Sequence, residues 1–137
     1  MKIKNIFDIA GRAMAAQMVR LNTISSNLAN AGATTGDPET VYKPLKPEFK
    51  TQYSENVKKN GISTVNVSKV VELQKEPFKI FDPNHPLADG DGYIYKAPIN
   101  VEEEMVDMLE ASRQYQNNVE VVTTLRALMV RTLSMGK

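Results

Sequence analysis

Cysteine is absent from this 137-residue chain. Its absence excludes disulfides, thiolate metal sites and cysteine nucleophiles. A net charge is almost absent as well, because 17 lysines and arginines face 16 aspartates and glutamates. No overall electrostatic field therefore favours nucleic acid, an anionic membrane or an acidic substrate, and we expect no nucleic-acid partner.

The chain also has little material for catalysis or metal binding. Its one histidine, His85, precedes a proline and is typical of a solvated turn. The segment "LADGDGY" has the look of a calcium loop, but aligning the loop glycine with Gly92 puts Leu87 and Pro98 at the first and last ligand positions. No glycine-rich phosphate loop occurs. We expect no enzymatic activity, no metal and no cofactor.

Long hydrophobic runs are missing too. The first 15 residues resemble a secretory signal, but Asp8, Gly11 and Arg12 interrupt the apolar region, so we expect no cleavage. The longest uncharged stretch in this part, from Leu21 to Gly36, is rich in asparagine, serine and threonine. It is too polar to sit in lipid, and we expect no direct membrane insertion.

Proline is absent from both ends of the chain, since all seven prolines lie between Pro38 and Pro98. The seven methionines lie outside that interval. This composition predicts three segments in one structural unit: an N-terminal helix over 1–32, a loop and small β insert over 33–99, and a C-terminal helix over 100–137.

Apolar residues in the first segment recur at alternating spacings of four and three. Eight of the nine positions from Ile3 to Ala31 in this series are apolar, and Gln17 is the exception. This pattern predicts an amphipathic helix with a heptad seam. Asn5 is its predicted N-cap, and Gly32 and Gly36 are stop signals.

The last segment predicts a second and longer helix. Asn100 followed by Glu103 has the spacing of a capping box, and Glu102 to Glu104 complement the positive helix end. The predicted seam comprises Val101, Met105, Met108, Ser112, Tyr115, Val119, Val122, Arg126, Met129 and Leu133. A second stripe comprises Val121, Leu125, Leu128, Thr132 and Met135. Two adjacent stripes require at least two neighbours.

The length of this second helix indicates an elongated molecule. Residues 101 to 134 in one helix would span about 50 Å, whereas a compact globule of this chain length has a diameter of roughly 37 Å. The predicted fold class is therefore mainly α, with two long terminal helices in a coiled-coil-like hairpin. Apolar surface is then left over for other subunits.

Polar residues beside the seams also favour subunit contacts. Amides and hydroxyls can be buried in an interface when they are hydrogen-bonded, without the desolvation cost of charges. The predicted assembly interface comprises Phe7, Met14, Gln17, Leu21, Ile24, Asn27, Leu28 and Asn30 of the N-terminal helix. In the C-terminal helix it comprises Met108, Ser112, Arg113, Tyr115, Asn118, Val119, Val122, Leu125, Met129 and Leu133.

The middle segment predicts short strands. Residues 33–60 are rich in glycine, proline, threonine and lysine and predict a long loop. The β-branched run from Ile62 to Leu73, the segment Phe78 to Phe81 and the segment Gly92 to Ala97 are strand candidates.

Three separated motifs carry a resemblance to a known family. They are "NIFDIAGRAMAAQMVRLNTISSNLANA" (5–31), "HPLADGDGYI" (85–94) and "EMVDMLEASRQYQNNVEVV" (104–122). Together they resemble the rod and hook axial proteins of the bacterial flagellum, and in particular the proximal rod proteins. The axial proteins commonly continue with Thr-x-Gly-Tyr, where this chain has Thr34, Thr35, Gly36 and Asp37. The resemblance therefore transfers least well over residues 33–60.

The resemblance implies a non-enzymatic rod subunit of the basal body. It implies export through the flagellar type III apparatus without a cleaved signal, and a location in the periplasmic space. The implied partners are proximal and distal rod subunits and the adaptor between the export gate and the MS ring. The residues alone leave two alternatives open: a cytoplasmic helical adaptor or export chaperone and, more remotely, a small enzyme acting through His85 or Asp91.

Overall fold

The computed structural model describes residues 3–52 and 64–136, with the side chains of 5–51 and 65–136. The β segments lie between two long helices in the order of the chain. The elements are α1 (Ile3–Asn30), β1 (Thr34–Thr35), a 3-10 helix (Pro38–Thr40), β2 (Leu45–Gln52), β3 (Thr64–Glu72), β4 (Phe78–Phe81), β5 (Tyr93–Lys96) and α2 (Val101–Met135). The fold is mainly α with a substantial β region between the helices.

The two helices run antiparallel. Near the junction with the β region, Asn27 of α1 lies beside Glu104 of α2, and Arg20 lies beside Asp107 and Glu110. At one residue per 1.5 Å, this register puts the start of α1 opposite about residue 128 of α2. The 35-residue α2 is therefore longer than the 28-residue α1, and its last turns extend beyond α1.

The predicted start of α2 is confirmed. The Asn100 side chain accepts hydrogen bonds from the backbone N–H groups of Glu102 at 3.1 Å and Glu103 at 3.4 Å. Three glutamates in the first turn complement the positive end of the helix. The predicted N-cap of α1 is wrong, because Asn5 lies inside a helix that begins at Ile3. Helix ends fray, so a sequence pattern locates the first residue of a helix less accurately than it locates the helix itself.

The β region forms two small sheets. Strand β5 pairs with β1 on one side and with β4 on the other, both antiparallel. Strands β2 and β3 form a separate antiparallel pair with an irregularity between Glu48 and Phe49. This second pair packs on α1, so α1 contacts both α2 and the β2–β3 pair.

The predictions for the middle segment are partly correct. The strand candidates near β3, β4 and β5 are confirmed within the described residues. The continuous loop predicted over 33–60 is wrong, because β1, the 3-10 helix and β2 lie within it, while residues 53–60 lie outside the described residues. Pro47 argues against a strand in the sequence pattern, and β2 was therefore not predicted. Proline is nevertheless tolerated in this strand, because both strands of a two-stranded sheet are edge strands.

The buried core of the described residues is thin. Nine apolar residues are buried, and five of these are alanines. Ala31, Val41, Ala97 and Ile99 form one cluster where the helices meet the β region. No large side chain is fully buried in the described residues. Small residues let α1 and α2 approach closely, but they remove little apolar area from water.

Candidate assembly interface

Asn27 is the polar junction between α1, the loop before β2 and α2. Its side chain is 2% exposed. Its amide nitrogen donates to the backbone oxygen of Leu45 at 2.9 Å and to the two Glu104 carboxylate oxygens at 3.3 and 3.2 Å. Its amide oxygen accepts from the Leu45 backbone N–H at 2.8 Å and from the Tyr42 hydroxyl at 3.2 Å. One side chain therefore fixes three segments relative to one another.

The neighbours of Asn27 complete this junction. The Tyr42 hydroxyl lies 2.9 Å from the Ser26 hydroxyl oxygen. Because Tyr42 donates to Asn27, Ser26 is the donor to Tyr42 in a consistent network. The Asn30 amide donates to the backbone oxygen of Ser26 at 2.8 Å, which holds the Asn30 side chain against the last turn of α1.

Arg20 joins the two helices one and a half to two turns away from Asn27. One guanidinium nitrogen lies 3.0 Å from an Asp107 oxygen and 3.2 Å from a Glu110 oxygen. Both carboxylates are more than half exposed, so each pair contributes at most about 1 kcal/mol. The geometry nevertheless selects the antiparallel register.

Gln17 lies between these contacts and the start of α1. Its side-chain oxygen is buried and accepts no hydrogen bond from the described residues. A buried unpaired acceptor is costly. A hydrogen-bond donor from outside the described residues that reached the Gln17 side-chain oxygen would therefore stabilise the helix pair.

The turn between β4 and β5 is organised by Asp89. Its carboxylate accepts hydrogen bonds from the backbone N–H of Tyr93 at 2.8 Å, from that of Asp91 at 3.0 Å and from the Tyr95 hydroxyl at 3.1 Å. The Tyr93 bond is the main reason that the pKa of Asp89 is lowered from 3.8, and burial opposes it. The pKa of Tyr95 is raised by desolvation and by its bond to Asp89.

These bonds give the "DGDG" segment a structural role. The His85 ring nitrogen Nδ1 accepts from the Leu87 backbone N–H at 3.1 Å, as expected of a turn residue. Gly92 has φ of 80°, a conformation that favours glycine. In the part of the chain that the structure describes, no group of three His, Asp or Glu side chains is placed to hold a metal ion.

Comparison with known proteins identifies the family. A family model described as "Flagella basal body rod protein" matches residues 7–36, and one described as "Flagellar basal body rod FlgEFG protein C-terminal" matches residues 91–135. The chain is 40% identical over 137 residues to the flagellar basal-body rod protein FlgC of Salmonella typhimurium, covering all of both chains. The chain belongs to the FlgC family. It is 39% identical to the FlgC of Yersinia enterocolitica and 27% identical to that of Buchnera aphidicola subsp. Baizongia pistaciae, again over complete chains.

Membership of the FlgC family establishes the general function. The chain is a structural subunit of the flagellar basal-body rod and not an enzyme. This assignment decides against the cytoplasmic adaptor and the small enzyme. Among the described residues, no helix combines the length and the apolar character that crossing a membrane requires.

All eight predicted interface residues of α1 are at least half-buried within the single chain. Ile24 and Asn27 are buried, and the others are half-buried: Phe7, Met14, Gln17, Leu21, Leu28 and Asn30. The exposed stripe of α1 comprises Asp8, Arg12, Ala15, Met18, Asn22, Ser25 and Ala29. This α1 prediction therefore describes contacts within the chain, and its role between subunits stays a prediction.

The predicted seam of α2 is only partly correct. The residues that are buried or half-buried at heptad spacing are Glu104, Met108, Ala111, Tyr115, Asn118, Val122, Leu125 and Met129, with Ser112 beside them. Val101, Met105, Val119, Arg126 and Leu133 of the predicted seam are exposed, as is Arg113. The observed seam contains a glutamate, an asparagine and an alanine, so a hydropathy pattern misses it. Arg126 therefore does not interrupt the seam that packs on α1.

Sequence reasoning missed the partners that fix the register. Tyr42, Glu104 and Arg20 were not predicted as site residues, although each contacts its partner across 15 or more residues of sequence. For Glu104, the one signal in the sequence is its spacing: it lies four residues before Met108 and seven before Ala111, in the same seam. Such residues specify register at a cost in stability.

Proposed function

We propose that the chain assembles into the rod through both terminal helices, which act as one coiled-coil-like hairpin with the β insert attached as part of the same structural unit. The observation that carries this proposal is the exposed apolar surface of α2. Leu109 is 66% exposed and Leu133 is 72% exposed, although both lie on a regular helix. Exposed apolar rows of this kind mark protein contact sites.

The thin core supports the same proposal. The helix pair buries alanines and half-buries Met108, Tyr115 and Met129, so a single subunit removes little apolar area from water. Neighbouring subunits that cover these rows would supply the missing burial. The proposed interface consists of the exposed side of the predicted set, namely Arg113, Val119 and Leu133, together with half-buried residues that neighbours can reach.

The finer biological setting is also a proposal. We infer export through the flagellar type III apparatus without signal cleavage, assembly in the periplasmic space and transmission of motor torque along the rod. The inferred partners are proximal and distal rod subunits and the adaptor between the export gate and the MS ring. The FlgC relatives and the unpartnered surface of α2 support this setting.

The test is copurification with basal bodies. A strain lacking its own copy of this gene is complemented with the wild-type chain, and intact basal bodies are purified. We expect the chain in the basal-body fraction at its full mass, together with restored swimming. A chain that remains in the cytoplasmic fraction while swimming is restored would contradict the proposal.

Leu28→Asp provides an informative variant. Leu28 is half-buried on α1, two turns from Leu21 in the predicted seam. A charge there should block assembly and swimming. The exposed control on the same helix is Ala29→Asp, which should swim normally. Normal swimming by the Leu28→Asp variant would contradict a role of this seam in assembly.

A further inference from the structure

Helix α2 carries two overlapping faces that compete for α1. The observed seam, which packs on α1, comprises Glu104, Met108, Ala111, Tyr115, Asn118, Val122, Leu125 and Met129. Over the same range the predicted seam shares four of these residues and replaces each of the others by the next residue in sequence, namely Met105, Ser112, Val119 and Arg126. Successive helical residues are about 100° apart, so a rotation of α2 by about 50° about its own axis would exchange one seam for the other.

Hydrophobicity favours the predicted seam over the half of α2 nearest the β region. There the rotation would bury Met105, which is 56% exposed, and Val119, which is 41% exposed, in place of a glutamate and an asparagine. Ala111 and Ser112 are of similar size, so the close approach of the helices does not decide between the two seams. Something other than apolar burial therefore selects the observed face.

Near the β region, polar contacts hold the observed face. Asn27, which is 2% exposed, donates to both carboxylate oxygens of Glu104 at 3.3 and 3.2 Å. The rotation would turn Glu104 away and remove an acceptor from the buried Asn27 amide, which is costly. The Arg20 guanidinium opposes the same rotation, because Asp107 and Glu110 lie on the flank of α2 that would move away from α1.

Near the far end of α2, Arg126 opposes the rotation. It is exposed, and the rotation would put it in the place of half-buried Leu125. The register sets the start of α1 opposite about residue 128, so residue 126 still lies opposite the first turn of α1. An arginine turned toward α1 would lose contact with water, and the burial of a charge is costly.

We propose that Glu104, through its contact with Asn27, and Arg126 are positioning residues that select which face of α2 packs on α1. A polar residue in an apolar seam specifies one helix pairing at a cost in stability. The selected pairing leaves Met105 and Val119 exposed. These two side chains then remain available to neighbouring subunits, and this last step rests on the proposed function.

The test measures thiol accessibility in a chain that has no cysteine of its own. Asn118→Cys reports on the observed seam and Val119→Cys on the predicted seam, and each variant is labelled with a maleimide as the purified full-length chain. Each rate is divided by the rate of the same variant in urea, which removes differences in intrinsic reactivity. In the otherwise unchanged chain, the Val119→Cys thiol should react about fivefold faster than the Asn118→Cys thiol.

Three backgrounds isolate the two positioning residues. Glu104→Ala with Arg126→Leu removes both, and the order of the two labelling rates should reverse. Glu104→Gln with Arg126→Leu has the same charge but should keep the original order, because the glutamine oxygen still accepts from Asn27. Glu104→Ala with Arg113→Leu also has the same charge and should keep the order, because Arg113 is exposed outside both seams. Circular dichroism should show the same helix content in every chain.

Three outcomes would overturn the inference. One is an unchanged order of labelling in the chain with Glu104→Ala and Arg126→Leu. Another is a reversed order in the chain with Glu104→Gln and Arg126→Leu, because the contact with Asn27 would then not select the face. A third is equally fast labelling at both positions of the otherwise unchanged chain, because neither face would then be packed.

Swimming separates this inference from the proposed function. In cells that lack their own copy of the gene, the chain with Glu104→Ala and Arg126→Leu should not restore swimming, whereas the chain with Glu104→Gln and Arg126→Leu should restore it. A reversed labelling order together with normal swimming would support the selection of the face. The same result would contradict the use of Met105 and Val119 in assembly.

Discussion

At the residue scale, a single buried amide holds the helix hairpin to the β region. Asn27 uses both ends of its side chain, donating to Leu45 and Glu104 and accepting from Leu45 and Tyr42. An asparagine suits this position because a charged group of similar size would lose one half of the pattern. Its neighbour Leu28 is apolar and half-buried, so the polar junction directly adjoins the apolar contacts of α1.

Asn27→Ala should lower the free energy of unfolding by roughly 2 to 4 kcal/mol. The change leaves the Leu45 backbone groups without their partner, and buried unpaired groups are costly. The measurement is urea denaturation of the purified chain followed by circular dichroism. The control is Asn22→Ala on the exposed face of α1, which should stay within about 0.5 kcal/mol of wild type. Equal losses for the two variants would contradict the junction role.

Asp89→Asn should lower the melting temperature near neutral pH. The folded turn lowers the pKa of Asp89 below 3.8, so its carboxylate stabilises the fold above that pH. This contribution disappears as the pH falls through the lowered pKa. The difference between wild type and variant should therefore be larger at about pH 6 than at about pH 2.5. The same difference at both values would show that the charge of Asp89 is irrelevant.

At the element scale, the packing of α2 depends on a heptad series that includes polar residues. Glu104 and Asn118 occupy heptad positions equivalent to those of Ala111 and Leu125. Glu104 is accepted there because Asn27 donates to both of its carboxylate oxygens. The more apolar neighbours Met105 and Val119 lie outside this seam and are exposed.

The loop after α1 and the Asp89 turn pack closely enough to exclude a side chain at Gly36. A Cβ atom at this position would lie 2.5 Å from the backbone oxygen of Leu87. Gly36→Ala should therefore destabilise the chain by about 1 to 3 kcal/mol, measured by thermal unfolding. Gly32→Ala is the matched control, since a Cβ atom there meets nothing within 4 Å. A Gly36→Ala variant as stable as this control would show that the two loops separate easily.

At the scale of the whole molecule, apolar surface is distributed unequally between the helices. Helix α1 contacts both α2 and the β2–β3 pair, so most of its side chains are at least half-buried. The last turns of α2 extend beyond α1, and every residue from Val130 to Gly136 is exposed. A single chain thus covers most of the surface of α1 with its own residues, but it leaves the last turns of α2 exposed.

Leu133→Asp should separate folding from assembly. Leu133 is 72% exposed, so its replacement should change the free energy of unfolding by no more than about 0.5 kcal/mol. Swimming should nevertheless be lost, because a charge would enter an apolar subunit contact. Motility in soft agar and unfolding of the purified variant are the two measurements.

The control for this variant is Ser68→Asp, which places the same charge at an exposed position on β3. It should leave swimming unchanged. Normal swimming by the Leu133→Asp variant would contradict a contact at the end of α2. A large loss of stability would show that Leu133 instead supports the folded chain.

The sequence by itself determined the helices, the start of α2 and three of the strands. These features depend on local signals: apolar spacing, the Asn100 cap and β-branched runs, all of which act over a few residues. The family was also visible in sequence, because motifs near both ends of the chain point to the flagellar rod. The length of α2 alone was enough to predict that one chain cannot cover all of the apolar surface of this helix.

Only the tertiary structure decided which face of α2 meets α1. Hydropathy favours Met105 and Val119, but a helix pair can bury Glu104 when a partner amide compensates its charge. That compensation comes from Asn27, 77 residues earlier in the chain, and no local pattern contains it. The register, the strand β2 and the surface left free on α2 all follow from such distant contacts, because the free energy of a buried polar group depends on its partner.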